Sequence, residues 1–419
     1  MKVSKFGEKF CKNSGILELM DDLGRALAGD EKKYMLGGGN PPHIPDVQKV
    51  FRQRMKQILD NENEFERMIG NYDTPQGNQE FIKIFTDFIN DVYGWDIGIE
   101  NVAITSGSQS GFYMLFNILA GEFSDGSKKK ILLPLTPEYI GYADQGLSDD
   151  LFVSVKPEIK HFDKHTYKYY VDFSQIKITS DIAAICCSRP TNPTGNVLTD
   201  EEIDHLILLA QQNNIPFIID NAYGEPFPNI IFKNANLKWD KNIIHSFSLS
   251  KVGLPSARTG IIVASKEIIK IITNANAILS LANSSYGQYL MKDLIQTKEI
   301  LNISKNIIKP YYETKSEFAK QLLHKYFGDD LPWHVHISEG CLFLWVWFEN
   351  IPITTKELYS RLKLRNVVIV PGEYFFPGLA EEWKHKSECI RINYSMNMED
   401  VEKGIQIISE EVKKAYLLT

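Results

Sequence analysis

A few residues in this chain have the types and positions that reactions of amines require. Lys251 closes the run Ser248-Leu249-Ser250-Lys251 and is followed by Val252-Gly253-Leu254-Pro255-Ser256-Ala257-Arg258-Thr259-Gly260. A lysine that is partly desolvated and near other cations loses its proton more readily, and a neutral amine condenses with an aldehyde near neutral pH. Read singly, Ser-x-Ser-Lys is a common loop with a solvated lysine. Asp220 ends the apolar run Ile215-Pro216-Phe217-Ile218-Ile219-Asp220, where a carboxylate read alone caps a following helix. Tyr223 lies three residues further on. Ser106-Gly107-Ser108-Gln109 precedes an apolar helix predicted from Phe112 to Ala120, so amides and hydroxyls converge on a helix N-terminus, a setting that suits a phosphate. Arg391, in Cys389-Ile390-Arg391-Ile392-Asn393-Tyr394, offers a planar two-donor fork to a carboxylate.

Three further segments are ordinary when taken alone. Asn192-Pro193-Thr194-Gly195 is a turn, Leu36-Gly37-Gly38-Gly39-Asn40-Pro41 is a loop in which Gly39 allows close backbone approach, and Tyr139 in Pro137-Glu138-Tyr139-Ile140-Gly141-Tyr142 is one core aromatic among 19 tyrosines. Tyr72 opens Tyr72-Asp73-Thr74-Pro75-Gln76-Gly77.

The elements that must hold these residues follow an α/β rhythm. Short runs apolar on both faces recur at Val102-Ala103-Ile104, Ile131 to Pro134, Ala183 to Cys187, Phe217 to Asp220, Ile243 to Leu249 and Gly260 to Ala264, separated by longer amphipathic stretches. That pattern predicts a mostly parallel, doubly wound sheet with helices on both sides. Thr199 is a predicted N-cap for a helix opening on Asp200-Glu201-Glu202 and ending near Gln211 to Asn214. From about residue 310 the pattern changes to a helix over Tyr311 to Phe327, a strand over Cys341 to Phe348, a helix over Thr355 to Leu364 and a last helix from Glu399. The expected organisation is a large domain over residues 46–310 and a smaller α+β domain built from 1–45 and 311–419. In such sheets ligands gather beyond the carboxyl ends of the strands, where the candidate residues lie.

Composition narrows the function class. The chain has 419 residues, 43% hydrophobic and 24% charged, with a net charge of -7. Its one compact basic run, Lys128 to Lys130, enters a predicted strand, so nucleic-acid binding is not expected. The N-terminus lacks a secretory apolar region and the longest apolar run, Cys341 to Phe348, is too short to span a bilayer, which points to a cytoplasmic protein with no membrane partner. The five cysteines form no metal-ligand or CxxC pattern, and adjacent Cys186-Cys187 are poorly placed for a bridge; they are expected to be reduced, and no metal is expected.

Taken together and in order, from about residue 36 to residue 391, these segments resemble the class I and II aminotransferases. The resemblance implies the type I fold of pyridoxal-phosphate-dependent transferases and pyridoxal 5'-phosphate as cofactor. It implies Lys251 as the catalytic lysine, Asp220 at the pyridine nitrogen, Tyr223 and Asn192 at the ring oxygen, and Tyr139 stacked on the ring. Ser108, Gln109, Ser248 and Arg258 would hold the phosphate, with Tyr72 reaching the phosphate of a neighbouring subunit, and hence a homodimer with shared active sites. Gly39, Asn192 and Arg391 would bind the carboxylate of the amino-acid and 2-oxo-acid substrates.

Narrower segments are similar to the branch of that family that exchanges nitrogen between L-valine and pyruvate, yielding 3-methyl-2-oxobutanoate and L-alanine: Phe6-Gly7, Ser14-Gly15-Ile16, Glu138 to Asp144, Ser188 to Asn192, Pro371-Gly372 and Phe375 to Gly378. Ile16 and the uncharged Ala282-Asn283-Ser284-Ser285 are consistent with a small apolar substrate side chain. Arg258 follows Lys251 by seven positions, which departs from the aspartate enzymes and argues against their dicarboxylate specificity. The alternatives are another substrate range, a lyase or decarboxylase on the same fold, and a transcription regulator, which would carry an added DNA-binding module.

Overall fold

The computed structural model describes residues 2–11, 17, 21, 24 and 32–417. Ser14, Gly15 and Ile16, expected to bear on substrate choice, lie outside the described residues.

An eight-stranded sheet runs in the order Val102–Thr105, Gly260–Val263, Ile243–Ser248, Phe217–Asp220, Ile182–Ser188, Lys128–Leu133, Gly121–Glu122, with Phe152–Ser154 also paired to Lys128–Leu133. The four pairings from Ile243–Ser248 to Phe152–Ser154 are parallel, and Gly260–Val263 is antiparallel to both its neighbours. Alternate residues of the central strands enter different cores. Ile218, Ala184 and Ile244 pack with Phe112, Leu115, Ile269 and Ile272 on one face. Phe217, Ile219, Ile185 and Cys187 pack with Ile203, Leu206 and Ala210 on the other. Burial on both faces is why these runs lack polar alternation; each buried Ile, Leu or Phe among them contributes roughly 1.5–3 kcal/mol. The helix Asp200–Gln212 starts at Thr199 with a capping box: Thr199 Oγ1 accepts the Glu202 N–H at 3.1 Å and the Glu202 carboxylate accepts the Thr199 N–H at 2.7 Å.

A second, six-stranded sheet runs Val370–Pro371, Cys389–Asn393, Phe343–Phe348, Trp333–His336, Thr166–Tyr170, Glu158–His161. The helices Lys309–Phe327, Thr355–Lys363 and Met398–Leu417 accompany it. Its last two strands come from the middle of the chain, with Thr166–Tyr170 parallel to Trp333–His336. The hairpin over 158–170 therefore crosses the division expected at residue 310. Among the described residues no helix is long and apolar enough to cross a membrane.

Candidate active site

The parallel strands deliver the candidate residues to one edge. Asp220 is the register partner of Ser188 on one side and of Ser246 on the other, and Ser248 pairs with Gly260, which in turn pairs with Thr105. The ends of four strands and the start of Gly260–Val263 thus meet around a cavity of about 190 Å³. Its lining includes Lys251, Asp220, Tyr223, Asn192, Tyr139 and Ser248, together with Ser108, Gln109, Arg258, Gly39 and Arg391. Tyr72 is not among the lining residues; its side chain is 85% exposed.

Lys251 sits on a 3₁₀ turn, Leu249–Val252, rather than on the strand end itself, and Ser248 Oγ caps that turn by accepting the Ser250 N–H at 3.2 Å. The ammonium donates to Gly39 O at 2.6 Å and lies 5.4 Å from the centre of the Tyr223 ring. Loss of hydration, then the charges of Arg391 and Arg258, lower its pKa from 10.5 to about 8, with Asp220 pulling the other way.

Asp220 is buried and does not cap a helix. Its Oδ1 accepts the Ala222 N–H at 3.0 Å in a turn, and its Oδ2 accepts the Tyr142 hydroxyl at 2.7 Å. Burial raises its pKa to about 6 against these hydrogen bonds and the Lys251 charge.

Arg391 belongs to the second sheet and is only 2% exposed. Its guanidinium donates to Asn192 Oδ1 at 2.8 Å and Gly37 O at 2.7 Å and lies 4.1 Å from the Phe343 ring centre. Its Nε has no partner among the described residues. Burial lowers its pKa to about 10, so it remains a cation at neutral pH. The glycine segment is fixed alongside, Asn393 N–H donating to Leu36 O at 2.6 Å. A side chain at Gly37 would meet Ile369 O at 3.1 Å, whereas one at Gly39 would meet nothing within 4 Å. The tight position is Gly37, and Gly39 contributes its carbonyl.

At the far end, Gly107 precedes the helix Ser108–Leu119, and no side chain caps its first amides. Gly107 has φ 85°, and a Cβ there would fall 2.1 Å from an Arg258 guanidinium nitrogen. Arg258 itself is held in the left-handed region at φ 44°, a strained conformation for arginine. Uncapped amides, the Ser108, Ser248 and Ser250 side chains and a guanidinium brought in over a glycine form a cradle for a dianion. Gln109 Nε2 donates to Gly141 O at 3.3 Å instead.

The family model described as "Aminotransferase class I and II" matches residues 32–408. The chain belongs to the class I and II aminotransferases. It is 46% identical over 416 residues to the valine–pyruvate aminotransferase of Escherichia coli K12, covering 99% of each chain. A putative amino-acid aminotransferase from Psychrobacter arcticum 273-4 superposes with a TM-score of 0.96 at 45% identity, covering both chains fully. The valine–pyruvate aminotransferase of Salmonella typhimurium LT2 superposes with a TM-score of 0.89 at 44% identity over 96% of this chain and 100% of that one. Pyridoxal 5'-phosphate is the cofactor of this aminotransferase, and the cavity fits it: an amine of lowered pKa, a buried carboxyl for the ring nitrogen and a dianion cradle open into one space.

Several lining residues of the aminotransferase escaped the sequence reading: Phe112, Ile140, Ser188, Pro190, Ala222 and Ser250. Ser188 and Ser250 carried a usable signal, since each adjoins a strand end already singled out. Tyr142 also escaped it, standing in a quoted motif with nothing to tie it to Asp220.

Proposed function

We propose that this aminotransferase exchanges nitrogen between L-valine and pyruvate, giving 3-methyl-2-oxobutanoate and L-alanine, in cytoplasmic amino-acid metabolism. The observation that carries the chemistry is Lys251, an amine with a pKa of about 8 in a cavity that also contains Asp220 and Arg391. The substrate pair rests on the printed activity of the relatives at 44% and 46% identity.

Pyridoxal phosphate, when bound, supplies an aldehyde carbon for the substrate amine and an electron-withdrawing ring that stabilises charge at the α-carbon. The remaining work falls to side chains. Arg391, presented by Asn192 and Gly37, binds the substrate carboxylate and so orients the α-carbon. Lys251 is about one-tenth neutral at pH 7 given that pKa, enough to act as a base that removes the α-proton of the amino donor in one half-reaction and, as its conjugate acid, delivers a proton to the former carbonyl carbon of the 2-oxo acid in the other. Asp220, steadied by Tyr142, would keep the ring nitrogen protonated, Tyr223 and Asn192 would bond the ring oxygen, and Tyr139 would pack on the ring and exclude water. Ser108, Ser248 and Arg258 would hold the phosphate, and Gln109, which lines the same cavity, would join them on giving up its bond to Gly141 O.

The active unit is a homodimer in which Tyr72 reaches the phosphate of the second copy. In support, Tyr72 and Ile278, each 85% exposed, and Leu281 at 64% are large apolar side chains left uncovered in one chain. Residues 46–310, apart from the hairpin over 158–170, form the cofactor-binding domain, and 1–45 with 311–419 and that hairpin the smaller one.

The test is the absorbance of the cofactor-loaded protein on adding L-valine alone and then pyruvate. Conversion to the pyridoxamine form by valine, reversed by pyruvate as alanine appears, is the expected result. A bound cofactor that valine leaves unchanged would remove the substrate assignment.

A further inference from the structure

A second cavity, of about 230 Å³, adjoins the one that holds Lys251. Among the described residues Ile140 is the one that lines both. The rest of the second lining comes from Ala143 and Asp144, just beyond the same turn, and from the loop over 373–377.

That loop puts the partition at the carboxylate-binding end of the site. The ring centre of Phe375 lies 5.2 Å from the Arg391 guanidinium, while its neighbours Tyr374 and Phe376 line the second cavity. Ile140 is 2% exposed and packs in one apolar cluster with Phe375 and with Trp345, the register partner of Arg391.

The turn that carries Ile140 is pinned on both sides. The Glu138 N–H donates to Phe375 O at 2.8 Å, and the buried Glu138 carboxylate accepts the Ser188 N–H at 2.8 Å and the Tyr139 N–H at 3.2 Å. Gly141 lies against the Tyr139 ring, where a Cβ would collide with it. Backbone held in this way, with the side chain inside a packed cluster, makes Ile140 a fixed wall. A fixed apolar wall discriminates by length, since one methylene too many or too few changes kcat/KM by about 10- to 200-fold.

The second cavity has room for what the wall excludes. Phe376, Pro377 and Ala143 give it apolar surface, whereas Asp144 and Glu373 bring two carboxyl groups and no lysine or arginine lines it. A long apolar side chain suits that space, and an acidic one does not.

We propose that Ile140 is a specificity-determining residue that caps the length of the donor's side chain, and that trimming it joins the two cavities and admits long apolar amino acids while acidic ones stay excluded. The proposal deepens the valine–pyruvate reading and rests on it.

Single-turnover conversion of the cofactor-loaded protein by L-valine, L-norleucine or L-glutamate alone, followed by absorbance in wild type, I140V and I140A, tests this. The norleucine-to-valine ratio of second-order rate constants should rise about tenfold or more in I140A and about threefold in I140V, with the glutamate-to-valine ratio unchanged. I140V trims the wall least and carries the test if I140A fails to fold. Norleucine ratios that stay at the wild-type value, or a glutamate ratio that rises as far, would overturn the proposal while valine conversion by wild type keeps the substrate reading intact. A wild type that valine does not convert would overturn both.

Discussion

Lys168 and Lys251 both have their ammonium groups among protein atoms, and their surroundings differ. Lys168, on the inserted hairpin of the second sheet, donates to Asn196 Oδ1 at 2.7 Å and Val197 O at 2.9 Å and pairs with Glu339, which also holds Lys233. Lys251 has one carbonyl acceptor, no carboxylate in contact, and two arginines that disfavour its charge. Burial lowers both pKa values, but at Lys168 the Glu339 charge opposes the shift. A saturated lysine fixes structure, whereas one with a single acceptor, among cations, retains an amine able to react. The two regions are also joined: Glu339 accepts the Val197 N–H at 3.0 Å and its own N–H bonds Gly195 O at 2.9 Å, pinning the turn that carries Asn192.

The contrast can be broken from either side. Lys251→Ala should cost about a thousandfold or more in turnover, the loss of a positioned base, while the melting temperature of the cofactor-free protein holds or rises. Steady-state rates with L-valine and pyruvate, beside thermal melts, check both halves. Glu339→Ala should do the reverse, destabilising the fold by about 3 kcal/mol because Lys168 is left buried without its carboxylate; urea titration measures it.

Asp220→Asn separates function from stability more finely. A carboxyl whose folded pKa is raised makes the protein lose stability as pH rises from the unfolded value through about 6. The cofactor-free variant should therefore be more stable than wild type by about 1–3 kcal/mol at pH 8 and no more stable at pH 3, while binding pyridoxal phosphate less tightly. Denaturant melts at the two pH values decide it. The smallest effect is at the chain's surface: Tyr72→Phe should weaken cofactor binding by about fivefold if its hydroxyl meets a partner's phosphate, and leave it unchanged if the active unit is a monomer.

The six central strands were legible because burial on both faces leaves an unbroken apolar run, and nine of the twelve residues named in advance adjoin their ends at the cavity, where Gly39 from the glycine loop and Arg391 from the second sheet join them. The Thr166–Tyr170 strand was not, because its place depends on Trp333–His336, far away in sequence, and its Thr-Tyr-Lys-Tyr-Tyr pattern carries no sign of that partner. Glu138 was hidden for a similar reason. An acid beside a tyrosine reads as surface, and only Ser188, fifty positions on, makes its burial tolerable. The Asp220 turn was half legible: the carboxylate was found, but the apolar run could not reveal that Tyr142 holds it.

The most direct test of the central claim is to reduce the cofactor-loaded protein with borohydride and locate the phosphopyridoxyl group by peptide mass spectrometry. The account predicts that it lies on Lys251, with trapping by the cofactor-free protein rising as pH passes through about 8, where the amine loses its proton. A label on Lys168 or any other lysine, or none at all, would contradict it.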